Sequence, residues 1–262
     1  MNSPERFMLP DVQAQPDDRN ILIDSVGVKG VRYPVSIRSA GSVMPTIATL
    51  SMSVSLPATV KGTHMSRFIE ILETQTEALD QQGFMLMVAN MLQRLDAHSG
   101  EIEMRFPYFV KKTAPVSKVK SLMDVEVCWR ASVSVNETSA FWLQVTVPAT
   151  SLCPCSKEIS EYGAHNQRSH ISIEVSLTED MTIEKLIAIA ECNASCEVYG
   201  LLKRADEKYV TERAYDNAKF VEDLVRDVAL SLNQEPGVSA YVVEAENFES
   251  IHNHSAFARI VR

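Results

Sequence analysis

The stretch Met123-Asp-Val-Glu-Val-Cys-Trp-Arg-Ala-Ser-Val-Ser-Val135 decides the fold, because apolar side chains stand at every second position in it. Successive side chains of a β-strand point to opposite faces of a sheet, so this alternation predicts a long strand with one buried face. Cys128 lies on the polar-facing register of the strand, next to Trp129. The chain is therefore expected to be built around a sheet that is buried on one side.

The residues before this strand predict three further strands with two helices between them. The alternating runs that predict the strands are Val31–Ile37, Leu50–Leu56 and Ile102–Tyr108. Ser66 is a suitable N-cap for the first helix, and Gly83 is expected to break that helix. A second helix is expected from Phe84 to Leu95, ending before Ser99-Gly100. The first half thus has the order strand, strand, helix, helix, strand, strand.

The residues after the long strand repeat this order. The expected strands are Phe141–Val147, closed by Pro148, then Ile171–Leu177, a strand from Val238, and Phe257–Val261. Thr182 is expected to cap one helix, and after an irregular segment Asp216 is expected to cap another, which Pro236-Gly237 stops. Cys192 and Cys196 are four residues apart on a predicted helix, with both thiols expected to face the core.

These patterns predict an α+β fold of two tandem modules, each an antiparallel four-stranded sheet backed by a helix pair. The break between the halves falls near residues 136–139. We therefore expect a flexible arm at 1–20, a first module at 21–137 and a second module at 138–262. Sheet edges must be paired or covered. The chain is accordingly expected to form a homo-oligomer whose edges join into a closed barrel, with active sites that chains can share.

Composition limits the classes of function. The chain has 262 residues, of which 45% are hydrophobic and 23% charged, as in ordinary globular proteins. The net charge of −9 argues against nucleic-acid binding, although a local group of Lys and Arg can still bind a small anion. No apolar stretch is long enough to cross a membrane and the N-terminus lacks a secretion-signal pattern, so we expect a cytoplasmic protein. An odd number of cysteines, five, in a chain without an export signal argues against a disulfide framework.

The segment Ala149–His170 reads as a polar loop of about twenty residues, and long loops without apolar periodicity tend to be functional. It has the spacing C-x-C-x9-H-x4-H, formed by Cys153, Cys155, His165 and His170. Thiolate and imidazole are common ligands of divalent ions, and the spacing fits an open site better than a closed structural zinc site. The alternative is that the two thiols are simply buried and that His165 is a surface residue.

Four segments resemble the signatures of the type IB GTP cyclohydrolases. They are Lys61–Phe68, Ser151–Ser160, Gly163–Arg168 and Glu249–Ala256. The resemblance implies the tunnelling fold, in which a ββααββ module occurs twice per chain and the chains assemble into homotetramers. It also implies the reaction, in which GTP and water give formate and 7,8-dihydroneopterin triphosphate, the first step toward folate and related pterins.

The resemblance places the family's metal ligands on Cys153, His165 and Glu207. A thiolate, an imidazole and a carboxylate do not strongly select one ion, so Zn²⁺, Mn²⁺ and Fe²⁺ are all expected cofactors. The ion would acidify a water that attacks C8 of the guanine. Cys155 would either support this site or compete as a ligand. Without the resemblance, Glu207 would be read as a solvated acid.

The resemblance also assigns groups to the substrate and to proton transfer. Glu222 matches the glutamate that accepts two hydrogen bonds from the guanine edge, although an exposed helix acid near Arg226 is the alternative. His252 and His254, in a strand-like segment, are expected to move protons or contact phosphate, and are counted with Cys153 and His165 as catalytic. The candidates for binding the triphosphate are His64, Ser66 and Arg67 at a helix start, together with Lys157, Arg168, Lys111 and Lys112.

The residues are also compatible with two other functions. A related pterin or purine enzyme of the same fold would use Cys153 or Cys155 as a nucleophile, and a reductase of that kind would need NADPH, for which the chain has no Gly-rich dinucleotide loop. A non-enzymatic metal-binding oligomer would bind the ion through the Cys-Pro-Cys loop and would have no need of Glu222.

Overall fold

The computed structural model of the protein describes residues 10–134 and 139–262. The elements of the first half are β1 Ile23–Ser39, β2 Ser42–Leu56, α1 Met65–Glu73, α2 Gln81–Leu95, β3 Ser99–Thr113 and β4 Lys120–Ser134. The elements of the second half are β5 Ala140–Leu152, α3 Pro154–Ile159, β6 Asn166–Leu177, α4 Ile183–Asn193, β7 Cys196–Glu197, α5 Arg204–Asp216, α6 Val221–Leu232, β8 Val238–Asn247 and β9 Ala256–Val261. The order ββααββ thus occurs twice, with α3, β7 and α5 added to the second copy.

The strands of the described residues form one antiparallel sheet in the order β1-β2-β3-β4-β5-β6-β8-β9, and the short β7 pairs with β5. The sequence predicts two separate four-stranded sheets, but β4 and β5 join them along the register from Glu126 with Thr146 to Ser132 with Ala140. This pairing satisfies two strand edges that would otherwise be open. Among the described strands, β1 and β9 are the two terminal strands of the sheet.

The helices cover one face of this sheet, as the alternating pattern predicts. The inward residues of β4 are Val125, Val127, Trp129 and Ala131, and each is at most 3% exposed. At the seam between the halves, Trp129 packs edge-to-face against Phe84 of α2 at 5.6 Å and against Phe141 of β5 at 5.8 Å between ring centroids. Aromatic pairs of this geometry add to the burial of apolar area, so the seam is part of the core.

Two boundaries in the first half differ from the prediction, whereas the end of α2 at Leu95 agrees with it. α1 begins at Met65 with His64 as N-cap, so Ser66 lies in the first turn and caps nothing. Gly83 does not break a helix, because the Asp80 carboxylate accepts a hydrogen bond from its N–H at 2.8 Å and starts α2 at Gln81. Side-chain capping of this kind outweighs the poor helix propensity of one glycine. α2 ends at a left-handed Asp96, and Ser99 and Gly100 already belong to β3.

Three predictions for the second half are also wrong. Pro148 does not close β5, since the strand continues to Leu152. The pairing of β5 with β4 ends at Thr146, so Pro148 lies where β5 has no β4 partner and a missing N–H is tolerated. Asp216 caps nothing, because it ends α5, and α6 begins after Phe220. The segment expected to be irregular contains α5, which carries many charges and buries only Asp206 and Ala214, and so has no apolar stripe.

The cysteines are distributed differently from the prediction as well. Cys192 is exposed on α4 and only Cys196, in β7, is buried. Cys128 is buried although it stands on the outward register of β4. Burial raises the pKa of the Cys128 thiol to about 12 and that of Cys196 to about 11, so both are protonated at neutral pH. Neither is suited to bind a metal or attack a substrate.

The described residues cover only part of the predicted division of the chain. The boundary between residues 137 and 138 and the first nine residues of the predicted arm lie outside the described residues, so the division into 1–20, 21–137 and 138–262 stays a prediction. Residues 13–17 form backbone hydrogen bonds with residues 59–62. In the described ranges, no helix combines the length and apolarity that a membrane crossing requires.

Candidate functional site

The site forms where β5 and β6 end. Leu152 of β5 pairs with Asn166 of β6, and the next residues continue the pairing because the N–H of Cys153 donates to the carbonyl of His165 at 3.2 Å. Directly opposed residues of an antiparallel pair lie on the same face, with Cβ atoms about 4.5–5.5 Å apart. Cys153 and His165 are therefore neighbours. The loop expected over residues 149–170 spans only Cys153–His165, since both of its ends are strand.

A short helix within this loop holds the two residues in place. Cys153 is the N-cap of α3 and Pro154 occupies its first turn, so the Cys153 sulfur accepts a hydrogen bond from the Ser156 N–H at 3.4 Å. The Ser156 hydroxyl donates to the Cys153 carbonyl and accepts from the His165 N–H, both at 3.2 Å. Gly163 returns the chain toward β6 with φ of +108°, a conformation that side chains rarely adopt. Cys155, one position after Pro154, is exposed.

The His165 ring is oriented by hydrogen bonding. Its Nδ1 lies 3.0 Å from Oε1 of Gln167, and its Nε2 has no hydrogen-bond partner in the described part of the chain. A carbonyl oxygen can only accept, so Nδ1 carries the proton and Nε2 presents its lone pair. The Nε2 lone pair is what a metal ion requires of a histidine ligand.

A row of buried polar side chains lies next to this pair, on β5, β6 and β8. Ser169, two residues after Gln167 on β6, lies within hydrogen-bonding distance of Ser151 on β5 at 2.7 Å and of Asn247 on β8 at 2.6 Å. All three are less than 5% exposed. The core face of β5, β6 and β8 thus changes from apolar to polar toward the site. Sequence reasoning missed these residues because they interrupt the apolar alternation.

The predicted guanine anchor Glu222 lies in the first turn of α6. The N–H of Lys219 donates to the carbonyl of Leu152 at 3.2 Å, which places the start of α6 against the end of β5. Arg226 pairs with Asp223 at 3.3 Å rather than with Glu222. The Glu222 carboxylate is exposed and has no ion pair with any described residue, so it is available to a ligand.

Glu207 is not brought together with Cys153 and His165 in a single chain. It is exposed on α5, a helix that contacts α3 near its other end, where Lys157 Nζ donates to the Tyr215 carbonyl at 2.6 Å. Eight residues of helix span about 12 Å, so Glu207 lies about that far along the axis from this contact. Across residues 10–134 and 139–262, no group of three His, Cys, Asp or Glu side chains could hold a metal ion.

The start of α5 is fixed by its buried neighbour Asp206. This carboxylate accepts hydrogen bonds from the N–H groups of Val116, Ser117 and Lys203, each at 2.8 Å, and from the Ser117 hydroxyl. Burial alone would raise the pKa of Asp206, but these hydrogen bonds outweigh it and hold the pKa well below its usual value. Asp206 therefore ties α5, and Glu207 with it, to the loop between β3 and β4.

The predicted triphosphate ligands are spread over the chain. His64 and Arg67 lie at the start of α1 in the first half, where His64 contacts Asp11 at 3.1 Å and lines a cleft of about 340 Å³. Ser66 beside them is exposed, as is Lys111. Arg168 is exposed on the sheet face opposite Gln167. The Lys157 Nζ lies over the Tyr215 ring, 4.2 Å from its centroid.

Three cationic or imidazole candidates differ from the prediction. Lys112 is not available to an anion, because its Nζ forms a mostly buried ion pair with Glu191 at 2.5 Å. His252 and His254 are exposed in the segment between β8 and β9 rather than in a strand. Their rings stack with centroids 5.2 Å apart, so they do share one face, as expected.

The chain is similar in sequence to known proteins over nearly its whole length. Residues 9–258 match a family model described as type I GTP cyclohydrolase folE2. The chain is 59% identical to "GTP cyclohydrolase FolE2 1" of Dechloromonas aromatica (strain RCB) over 261 residues, covering 99% of this chain and 98% of the relative. It is 60% identical to "GTP cyclohydrolase FolE2" of Janthinobacterium sp. (strain Marseille) over 252 residues, covering 96% and 94%.

Solved structures show the same architecture at low sequence identity. Uricase from Arthrobacter globiformis matches with a TM-score of 0.53 and 7% identity, covering 91% of this chain and 92% of that one. Urate oxidase from Bacillus sp. TB-90 matches with a TM-score of 0.51 and 10% identity, covering 92% and 99%. These neighbours confirm the expected tunnelling fold, and at such identities they show the fold alone.

The anchoring of α5 generates a prediction. Asp206→Asn should lower the thermal midpoint by several degrees and speed amide exchange over residues 203–216, because an amide cannot accept all four hydrogen bonds. The low folded pKa means that Asp206 stabilises the fold fully above about pH 4 and loses this effect as the pH falls further. The gap between wild type and variant should therefore be wide at pH 7 and should shrink progressively as the pH falls below about 4.

Glu212→Gln on the exposed side of the same helix is the control and should leave both measurements near wild type. Equal midpoints for wild type and Asp206→Asn at pH 7 would contradict this account of α5.

Proposed function

The chain belongs to the type I GTP cyclohydrolase family and is a GTP cyclohydrolase of folate biosynthesis, and from this premise we propose that Cys153 and His165 are the centre of its active site. There they bind a divalent ion, and GTP and water are converted to formate and 7,8-dihydroneopterin triphosphate. The observation that carries the proposal is the register of β5 and β6, which sets a thiol directly opposite an imidazole whose Nε2 is free.

The donor set fits a divalent ion of intermediate hardness. Cys153 offers sulfur and His165 offers Nε2, and we assign Glu207 as the third ligand because the family resemblance places it there; its carboxylate is exposed and has no ion pair within the described residues. Such a mixed set suits Zn²⁺, Mn²⁺ or Fe²⁺. A divalent ion held there supplies Lewis acidity for a hydrolytic reaction. Cys155 is exposed beside this set and is the competing thiol.

The other residues of the chain bind and orient GTP and move protons. Glu222 accepts hydrogen bonds from N1–H and the 2-amino group of guanine, a donor pair that adenine lacks. His252 and His254 move the protons that ring opening, formate release and reclosure require, since imidazole exchanges protons near neutral pH. The triphosphate is bound by basic and polar side chains drawn from His64, Ser66, Arg67, Lys157 and Arg168.

A homotetramer completes this site in our proposal. The α1 residues and Glu207 lie apart from Cys153 within one chain, whereas β1 and β9 leave the sheet open at both edges. Phe257 and Val261 on β9 are 69% and 67% exposed, which favours pairing with another chain. Neighbouring chains would then bring residues from separate parts of the sequence to one pocket. The expected cytoplasmic location stays a prediction.

A direct assay tests the metal-dependent reaction. Purified protein incubated with GTP and Mn²⁺ should release formate and give a fluorescent pterin after oxidation, and a chelator should stop both. Cys153→Ala should reduce the rate by at least about 100-fold, because an altered metal environment alone costs 10- to 100-fold. The matched control is Cys192→Ala, which removes another exposed thiol and should keep wild-type turnover.

No pterin with any of Zn²⁺, Mn²⁺ or Fe²⁺ would reject the proposed reaction. Metal binding without turnover would support the non-enzymatic oligomer instead, and full activity in Cys153→Ala would remove Cys153 from the metal site.

Replacement of Glu222 tests the base contact. Glu222→Ala should raise KM for GTP about ten- to a hundredfold, the cost of losing hydrogen bonds to a charged group, while the affinity for the metal stays unchanged. Asp223→Ala, one residue along the same exposed turn, is the control and should change KM little. An unchanged KM in Glu222→Ala would show that guanine is bound elsewhere.

A further inference from the structure

Gln167 and Glu249 lie behind His165, and neither belongs to the residues so far assigned to the reaction. Gln167 is only 8% exposed, on the core face of β6 two residues after His165. Its amide lies between the imidazole and the carboxylate: Oε1 is 3.0 Å from His165 Nδ1, and Nε2 donates to Glu249 Oε1 at 3.4 Å. The His165 and Glu249 side chains are themselves 14% and 13% exposed.

We propose that Glu249 and Gln167 form a positioning relay that fixes His165 as its Nδ1–H tautomer and turns Nε2 toward the ion. The tautomer rests only on the geometry of these three residues, whereas the consequence for metal binding rests on the proposed function.

The carboxylate decides which way the Gln167 amide faces. An ionised carboxylate can only accept hydrogen bonds, so Glu249 must be met by the NH₂ group of the amide. The carbonyl oxygen of Gln167 is then left facing His165, and Nδ1 must carry a proton to donate to it. Glu249 thus acts through Gln167, which is why two residues rather than one set the tautomer.

Distance excludes the simpler arrangement in which Glu249 contacts the imidazole directly. Glu249 Oε2 lies 3.8 Å from His165 Nδ1, which is beyond hydrogen-bonding range, while the Gln167 oxygen is 3.0 Å away. The Gln167 oxygen therefore accepts the Nδ1 proton and leaves Nε2 to bind a metal, which is the role that carbonyl oxygens and carboxylates play for ligand histidines.

The strand register holds the relay in place. β8 continues beyond Asn247 because the Phe248 N–H donates to the Arg168 carbonyl at 3.0 Å, and this brings Glu249 alongside Gln167. Beneath them, the buried contact between Ser169 and Asn247 fixes the spacing of β6 and β8. Gln167 thus lies within β6, and His165 and Glu249 lie within two residues of the ends of β6 and β8, where backbone hydrogen bonds hold them.

The first test measures the tautomer in metal-free protein labelled with ¹⁵N-histidine. At about pH 8, where imidazole is neutral, two-bond ¹H–¹⁵N spectra should show one Nδ1–H histidine that disappears in His165→Gln. Gln167→Leu should abolish this pattern for His165, and Gln144→Leu on β5 should preserve it. The double variant Gln167→Glu with Glu249→Gln exchanges amide and carboxylate at constant charge and should also preserve it.

The second test measures Mn²⁺ and Zn²⁺ affinity by competition with a chelator. Gln167→Leu should weaken binding about 10- to 100-fold, the usual cost of losing a partner of a metal ligand, and the exchanged double variant should recover most of it. Circular dichroism with matching thermal midpoints in the double variant shows that the fold is intact.

Each result has a distinct meaning. An Nε2–H tautomer in the wild type, or an unchanged His165 pattern in Gln167→Leu, overturns the relay. Loss of the tautomer with unchanged metal affinity overturns its role in metal binding. If the wild type holds no divalent ion, or if Cys153→Ala binds it equally well, the proposed function fails while the tautomer result still supports the geometric part of the inference.

Discussion

The register of β5 against β6 is the constraint on which the site depends. Because side chains alternate between the two faces of a sheet, a slip of one residue would turn His165 away from Cys153 and remove the pair. The register is set far from the site, by apolar residues such as Val147 and Ile171 that must both face the helix layer. Burial of the core thus determines which thiol meets which imidazole.

The same face of the sheet performs two tasks along its length. Under α4 and α6 it is apolar and contributes to stability, and beyond the helices it carries Ser169, Gln167 and finally His165. Buried polar groups need partners, and here each finds one on a neighbouring strand. The polar groups therefore orient one another, and the ring of His165 is fixed before any ligand arrives. A second constraint, the carboxylate of Asp206, does the same for the helix that carries Glu207.

Much of the fold follows from the sequence because burial acts on strands with a period of two residues. The long alternation around Trp129 identified the covered face of the sheet, and the family signatures supplied the site residues that we propose. Strand ends were harder to predict, since Ser151 and Gln167 are polar yet buried and so look like a loop. α5 was missed because its inward contact is a carboxylate. Glu249 could be linked to His165 only through the pairing of β6 with β8, which no local pattern reveals.

The most direct test of the central claim is the absorption spectrum of the protein loaded with Co²⁺ in place of its ion. A thiolate ligand gives an intense sulfur-to-cobalt charge-transfer band in the near ultraviolet. The account predicts this band in the wild type and in Cys155→Ala, and its loss in Cys153→Ala. A band that persists in Cys153→Ala, or that disappears in Cys155→Ala alone, would contradict the claim that the β5–β6 register forms the metal site.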